Sequence, residues 1–215
     1  MSHPVSSPAS SVVDTVVLRY FLFVGRADLL VQLLGRPILV PNAVYSTDDD
    51  DETTEALLSE IVRSIRWQRS SARDLRRPRD KRDLAVHLAN QLETIHNLVA
   101  RGDVVIEQLS DEELALFVRL TSVEHIGEFG LVAPLGTGEA ACIAIAHVRS
   151  MTLVTDDNDG LRAFQSINPG APYERIRKLL IRAANEGHIA QAEANAIYSE
   201  MLQLGFYGDE PPFPS

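Results

Sequence analysis

Apolar residues along the chain fall into short continuous runs, separated by longer stretches in which they recur with helical spacing. Four short runs are rich in β-branched residues and lie at 12–18, 37–40, 104–106 and 151–155. Runs of this kind predict strands of a parallel sheet that is covered on both faces. Asp14 interrupts the first run. An unpaired carboxylate inside a buried strand is costly, so this acid needs a reason.

Between and after these runs, apolar residues recur every three to four positions, which predicts helices. Ser110 and Glu113 form a capping-box pattern, and Thr137 is expected to cap another helix. Gly187 is expected in a turn and Gly205 at a helix end. The predicted helices span about 27–34, 53–69, 81–100, 111–121, 138–149, 159–166, 172–185 and 190–204.

Strands that alternate with helices predict an α/β fold in three layers, α/β/α, with a central, mainly parallel sheet of four or five strands. The 215 residues suffice for one core, so we expect a single domain over 12–208. A helical insertion is expected at about 53–100 and a C-terminal helical pair at about 172–204. We expect 1–11 to be a disordered leader and 209–215 a loose tail.

The leader lacks the basic and apolar regions of a signal peptide. No apolar run approaches the ~20 residues of a membrane span. The sequence therefore predicts a cytoplasmic protein without a membrane partner. The single cysteine, Cys142, excludes an internal disulfide, and its Ala/Ile surroundings favour a buried small hydrophobe.

Charge is unevenly distributed along the chain. The net charge of −10 argues against binding of nucleic acid through overall charge. Residues 48–52 are all acidic, whereas 63–82 contain nine of the twenty Lys and Arg residues. The basic stretch has two interpretations, a solvated helix face or a contact for RNA or an acidic partner. Trp67 within it is expected either to pack between helices or to stack a base.

Acids crowd the segment 136–160, where Glu139 opens a predicted helix and Asp156, Asp157 and Asp159 follow a predicted strand. Ligands of parallel sheets bind beyond the carboxyl ends of the strands, where Asp156 and Asp157 are expected. Glu139 shares this edge only if the loop before its helix brings the helix start over it. Repulsion among carboxylates there is relieved by hard cations such as Mg²⁺ or Mn²⁺, which can activate water for phosphodiester cleavage. The alternative is that Asp157 and Asp159 cap the next helix and Glu139 favours its own helix dipole.

A rival motif is G-x-G-x-x-A at 136–141, followed by acids about twenty residues later. This pattern imitates a dinucleotide-binding fingerprint and would predict NAD(H) binding. Pro134 breaks the segment that should form the preceding strand. Glu139 would also place a negative charge where the pyrophosphate must lie. The six histidines show no metal-binding spacing.

Three segments together resemble a PIN domain, the fold of many metal-dependent ribonucleases, including the toxins of bacterial VapBC-type pairs. Residues 12–45 resemble the family's opening strand, helix and P-x-x-V segment, and residues 135–164 resemble its central G-E-A helix, strand and T-D-D turn. Residues 177–206 are similar to the helical end of one bacterial branch. Together these segments cover about half the chain.

The resemblance implies that acids from the first strand, the central helix and the turn after the fourth strand meet in one pocket. Asp14, Glu139 and Asp157 would then be catalytic, and Arg162 would steady a substrate phosphate. The implied reaction is hydrolysis of single-stranded RNA by a water that Mg²⁺ or Mn²⁺ activates. The implied metal ligands are Asp14, Glu139, Asp156, Asp157 and Asp159.

One position departs from the family pattern, which usually has a Glu near the place of Thr47. Asp48 or Asp49 could supply this acid, or the acid is missing and activity is impaired. The resemblance implies an endoribonuclease toxin of a type II pair, with a cognate antitoxin and a possible homodimer. The alternative is a catalytically impaired PIN-like module that acts through protein or RNA contacts.

Overall fold

Five strands form one all-parallel sheet with the order β3-β2-β1-β4-β5, and helices flank it. The computed structural model describes residues 11–48, 58–208 and 210–214. The predicted α/β class, with its parallel sheet and C-terminal helices, is confirmed. The strands are β1 (Ser11–Val13), β2 (Ile38–Pro41), β3 (Val104–Glu107), β4 (Thr152–Val154) and β5 (Tyr173–Glu174).

Helices connect successive strands along the chain, and two more helices follow the last strand. No helix in the described part of the chain is long and apolar enough to cross a bilayer. The helices are α1 (Thr15–Phe23), α2 (Ala27–Leu34), α3 (Glu60–Arg73), α4 (Arg79–Glu93), α5 (Ile95–Ala100), α6 (Asp111–Thr121), a 3-10 helix (Val123–Phe129), α7 (Thr137–Val148), α8 (Asn158–Ile167), α9 (Ile176–Asn185) and α10 (Gln191–Gln203).

The strand order reverses direction at β1, which lies between β2 and β4. The chain builds β1, β2 and β3 on one side and then adds β4 and β5 on the other. In register, Val12 pairs with Leu39 on β2 and with Leu153 on β4. A reversal of this kind leaves a crevice at the carboxyl ends of the two strands, which is where open α/β sheets bind ligands.

The first strand is much shorter than predicted, because Asp14 ends it and begins a helix. The strand prediction over 12–18 is wrong beyond Val13. Asp14 N still donates to Val154 O of β4 at 3.0 Å, but its carboxylate accepts from Thr15 N and caps α1. Val17 and Leu18 are buried in α1, and this packing outweighs the weak preference of valine for strands.

Other boundaries also differ from the predicted ones. The predicted helix over 172–185 begins only at Ile176, because β5 precedes it, and the predicted helix over 81–100 is two helices that meet at Thr94. Gly136, not Thr137, is the N-cap of α7. By contrast, the capping box that starts α6 is confirmed, with both of its reciprocal hydrogen bonds present.

The central helix of the core is α7, which contacts β1, β2 and β4. Its residues from Ala140 to Ala146 are all fully buried. A helix that is apolar on every side has to be buried, and α7 follows this rule. Cys142 is buried in α7 as predicted, with its thiol 3.5 Å from Val13 O.

Candidate functional site

Asp14 lies at the carboxyl end of β1 and is only 2% exposed. Its Oδ1 accepts from Thr15 N at 2.7 Å, and its Oδ2 accepts from the Thr155 hydroxyl at 3.0 Å. Burial is the main cause that raises its pKa to about 7, and the charge of Glu60 is the next. Two uncharged donors therefore hold the carboxyl group in place, and neither supplies a positive charge beside it.

Asp157 lies just beyond β4 and is the N-cap of α8. Its Oδ1 accepts from the backbone N–H groups of Asp159 and Gly160, at 2.7 and 3.2 Å. Asp157 N donates to the Thr155 hydroxyl at 3.1 Å, and that hydroxyl donates to Asp14. One threonine thus connects Asp14 with Asp157. The capping interpretation is correct for Asp157, but capping does not separate it from the other acids.

Glu139 projects from the first turn of α7 toward the same acids. Its pKa is raised to about 9, mainly by burial and then by the charges of Asp157 and Asp14. Its Oε1 is buried and has no hydrogen-bond partner among the described residues. A Cβ added at Gly160 would overlap this oxygen and would lie 2.8 Å from Glu139 Cγ. The close approach of Glu139 to α8 therefore requires glycine at position 160.

Glu60 is an acid of this cluster that the sequence analysis missed. It is the first residue of α3, and its carboxylate accepts from Gly138 N at 3.0 Å and from the Thr15 hydroxyl. A Cβ at Gly138 would lie 2.7 Å from Glu60 Oε2, so this contact also depends on a glycine. Glu60 joins the starts of α1, α3 and α7. Ser59 before it, a common residue at helix starts, was the available signal.

Of the two acids proposed near Thr47, only Asp48 lies within the described residues. Asp48 is exposed, and its backbone N–H donates to Ser46 Oγ at 3.2 Å. No contact of the Asp48 carboxylate with the cluster is found among the described residues. Asp49 lies outside the described residues, so the prediction for it stays a prediction.

Asp156 and Asp159 follow the same strand as Asp157 but make other contacts. Asp156 Oδ2 accepts from Ile176 N at 2.7 Å, and burial raises the pKa of this carboxyl. Asp159 pairs with Arg162 at 3.0 Å on the surface of α8. Their roles in metal binding, and that of Arg162 in phosphate binding, stay predictions.

The negative charge of the cluster favours binding of a metal ion, whereas the present placement of its oxygens does not. Burial and the charges of neighbouring acids raise the pKa values of Asp14 and Glu139, and the buried Oε1 of Glu139 has no hydrogen-bond partner among the described residues. However, within 11–48, 58–208 and 210–214 no three His, Cys, Asp or Glu side chains are arranged to hold a metal ion. Asp14, Glu60 and Asp157 direct oxygens at protein donors instead. The donor chemistry therefore suits a hard cation, whereas binding one requires some of these side chains to turn.

The dinucleotide motif does not have the structural context that it needs. Gly136 and Gly138 lie at the start of α7, as the motif requires, but the residues between the 3-10 helix and α7 form no strand. Glu60 and Glu139 also lie at this helix start, where a pyrophosphate would have to bind.

Comparison of the chain with family models, with curated proteins and with solved structures gave no match. The class that the fold defines is an α/β protein with a five-stranded parallel sheet, and its candidate site is a carboxylate cluster at the reversal of the strand order.

Proposed function

We propose that the protein is a metal-dependent endoribonuclease that hydrolyses phosphodiester bonds of single-stranded RNA. One observation supports it most: Asp14, Glu60, Glu139 and Asp157 lie around the carboxyl ends of β1 and β4, and burial together with their mutual charges raises the pKa values of Asp14 and Glu139. The RNA substrate comes from the PIN-domain resemblance in the sequence. Under this proposal Glu60 supplies the acid that was expected near Thr47.

In this proposal the four acids hold Mg²⁺ or Mn²⁺, which supplies an activated water and charge stabilisation when bound. Thr155 positions Asp14 relative to Asp157, and Thr15 positions Glu60. The glycines of α7 and α8 keep space for the glutamates, as their close contacts require. Roles as a toxin, with a cognate antitoxin and a possible homodimer, are proposals that rest on the same resemblance.

A binding module without catalysis is the second candidate function. The observation in its favour is that no described group of three acids is arranged to hold a metal ion. Under this proposal the carboxylates stay bonded to protein donors, and the protein acts through RNA or protein contacts. It predicts that Mg²⁺ and Mn²⁺ do not bind at the cluster.

Cleavage of a fluorescent single-stranded RNA with Mn²⁺ or Mg²⁺, with and without EDTA, tests the proposed enzyme. We expect Asp157→Ala and Glu60→Gln to lower the rate at least ~100-fold, because each removes a charge from the proposed metal site. Asp83→Ala is the matched control, since Asp83 is an exposed acid in a surface pair on α4. Cleavage that survives both site substitutions would refute the proposed site.

A calorimetric titration with Mn²⁺ separates the two candidate functions. Binding to wild type that Glu60→Gln weakens supports the enzyme, even where the first RNAs tried are not cut. Absence of metal binding, together with absence of cleavage on several RNAs, supports the binding module.

A further inference from the structure

A groove of about 590 Å³ extends from the carboxylate cluster along α1 and α3. Thr15 and Glu60, which bond to each other at the cluster, line its inner end. Arg19 on α1 and Arg63 and Trp67 on α3 are among the other residues that line it, and we call this surface the Trp67 groove. The groove is therefore continuous with the candidate site.

Trp67 does not serve as a packing residue of the core. Its exposure is 58%, whereas Ile61, Val62 and Ile65 on the other face of α3 are buried. The Arg77 guanidinium lies 5.5 Å from the Trp67 ring centroid, so the ring has a cation beside it. An exposed indole flanked by arginine is a suitable surface for stacking a base.

The spacing along the two helices places this ring near the acids. Glu60, Arg63 and Trp67 occupy positions i, i+3 and i+7 of α3, which share one face. Seven residues correspond to about 10 Å along a helix axis. On α1, Arg19 follows Thr15 by one turn. Arg63 therefore lies between Glu60 and Trp67 on α3, and Arg19 lines the same groove from α1.

The arginines of the groove counter a local electrostatic problem. The acids of the cluster and a net charge of −10 repel a polyanion. Arg63 lies 3.9 Å from Glu60, and the Arg19 guanidinium lies 5.3 Å from the centroid of the Tyr20 ring. Cations in line with an exposed aromatic ring match the pattern of backbone phosphates and bases in a single strand.

We infer that the Trp67 groove binds single-stranded RNA, with a base stacked on Trp67 and backbone phosphates at Arg19 and Arg63. The inference rests on the proposed function for the identity of the strand as substrate. Binding itself requires neither metal nor cleavage. It also assigns the inner part of the basic stretch 63–82 to the substrate.

Trp67 is the only tryptophan in the chain, so its fluorescence reports on this groove alone. We would titrate the full chain with a 12-nucleotide oligouridine in EDTA, where metal-dependent cleavage is absent. Saturable quenching of the emission is the expected result, because a stacked base covers the indole. Single-stranded DNA of the same length is the second arm, and equal or tighter DNA binding would overturn the assignment to RNA.

Variants are compared by the anisotropy of a labelled RNA. We expect Trp67→Ala to weaken binding at least ~10-fold and Trp67→Phe to weaken it less, because phenylalanine keeps an aromatic face. Tyr207→Ala is the matched control, since Tyr207 is an exposed aromatic outside the groove lining. Circular dichroism checks that each variant is folded.

The arginines are tested by the salt dependence of RNA binding. Removing one cation that binds a phosphate should reduce the slope of log K against log salt by about 0.7 for a single strand. Arg19→Gln and Arg63→Gln should each show this reduction. Arg79→Gln should not, because Arg79 belongs to the same basic stretch but pairs with Asp83 outside the groove.

The outcomes distinguish this inference from the proposed function. RNA binding that leaves Trp67 emission unchanged, or that Trp67→Ala does not weaken, overturns the inference even if the protein cleaves RNA. Quenching in the wild type, together with weakened RNA binding in Trp67→Ala, supports the inference even if no cleavage is found. Binding abolished in Tyr207→Ala but not in Trp67→Ala would also overturn it.

Discussion

Replacing Glu139 with glutamine should stabilise the metal-free protein at alkaline pH. Burial, then the charges of Asp157 and Asp14, raise the pKa of Glu139 from 4.5 to about 9. Between these pH values the folded protein keeps a proton on Glu139 that the unfolded chain has released. The stability of the wild type therefore falls as the pH rises through this window. Glutamine is neutral throughout and has a similar shape, so the variant lacks this loss.

The pKa shift sets the size of the effect. One pKa unit corresponds to ~1.36 kcal/mol, so the interval from the unfolded pKa to pH 8 gives an upper value of about 5 kcal/mol. Water reaches part of the Glu139 side chain and screens its charged neighbours, so we expect a gain of about 2 kcal/mol at pH 8. At pH 5 the gain should be below about 0.5 kcal/mol, because wild-type Glu139 is then protonated in the folded state and partly protonated in the unfolded state.

The assay is urea unfolding in EDTA, followed by circular dichroism, at pH 5 and pH 8. Glu112→Gln is the control, since Glu112 is an exposed glutamate in the first turn of α6 and should leave the pH dependence unchanged. If Glu139→Gln and the wild type lose stability in parallel between the two pH values, Glu139 is not held protonated and the electrostatic reasoning for the cluster is refuted.

Two further substitutions test the packing around the site and the core. Gly160→Ala should cost about 1–3 kcal/mol in urea unfolding and lower cleavage, because the new methyl group displaces Glu139; Gly127→Ala, with open space around it, should cost far less. Arg149→Met should cost about 3 kcal/mol at pH 7, because it leaves the 1% exposed carboxylate of Glu113 without its cation. Arg149 lowers the pKa of Glu113, whereas burial raises it, so this cost should shrink as the pH falls through the ordinary glutamate value of 4.5; a cost that stays constant down to pH 3 would contradict this account.

Elements with a complete local signal could be predicted from the sequence. The helix at 111–121 carries a capping box and was predicted with its correct ends. The run at 12–18 was not, because a short apolar run fits a strand and a buried helix equally well. In the structure Asp14 caps a helix, and the residues after it are buried as part of α1. The sequence alone does not show how α1 packs, so it does not distinguish the helix from a longer strand.

The candidate site shows the same limit more sharply. Asp14 and Asp157 stand next to recognisable strands, so a parallel sheet brings them to one edge, whereas only the family resemblance implied that Glu139 lies there too. Glu60 stands inside a predicted helix over 53–69, and its role depends on the helix beginning at that residue. Its partners, Thr15 and Gly138, are distant in the chain. Local spacing holds no information about contacts of this kind.

The position of the acids at helix starts explains how the fold tolerates them and why they remain unbalanced. Asp14 and Asp157 are N-caps, and Glu60 and Glu139 lie in first turns, so four helix N-termini face one cluster. Each N-terminus offers about half a positive charge and free N–H groups. That compensation does not suffice, since the pKa values of Asp14 and Glu139 still rise to about 7 and about 9. Near neutral pH the cluster must therefore take up protons or bind a cation.

Added Mn²⁺ should release protons from wild type at pH 7.5 and fewer from Glu139→Gln, which calorimetry in buffers of different ionisation enthalpy can measure. Metal binding without proton release would show that the cluster is already ionised and would contradict this explanation.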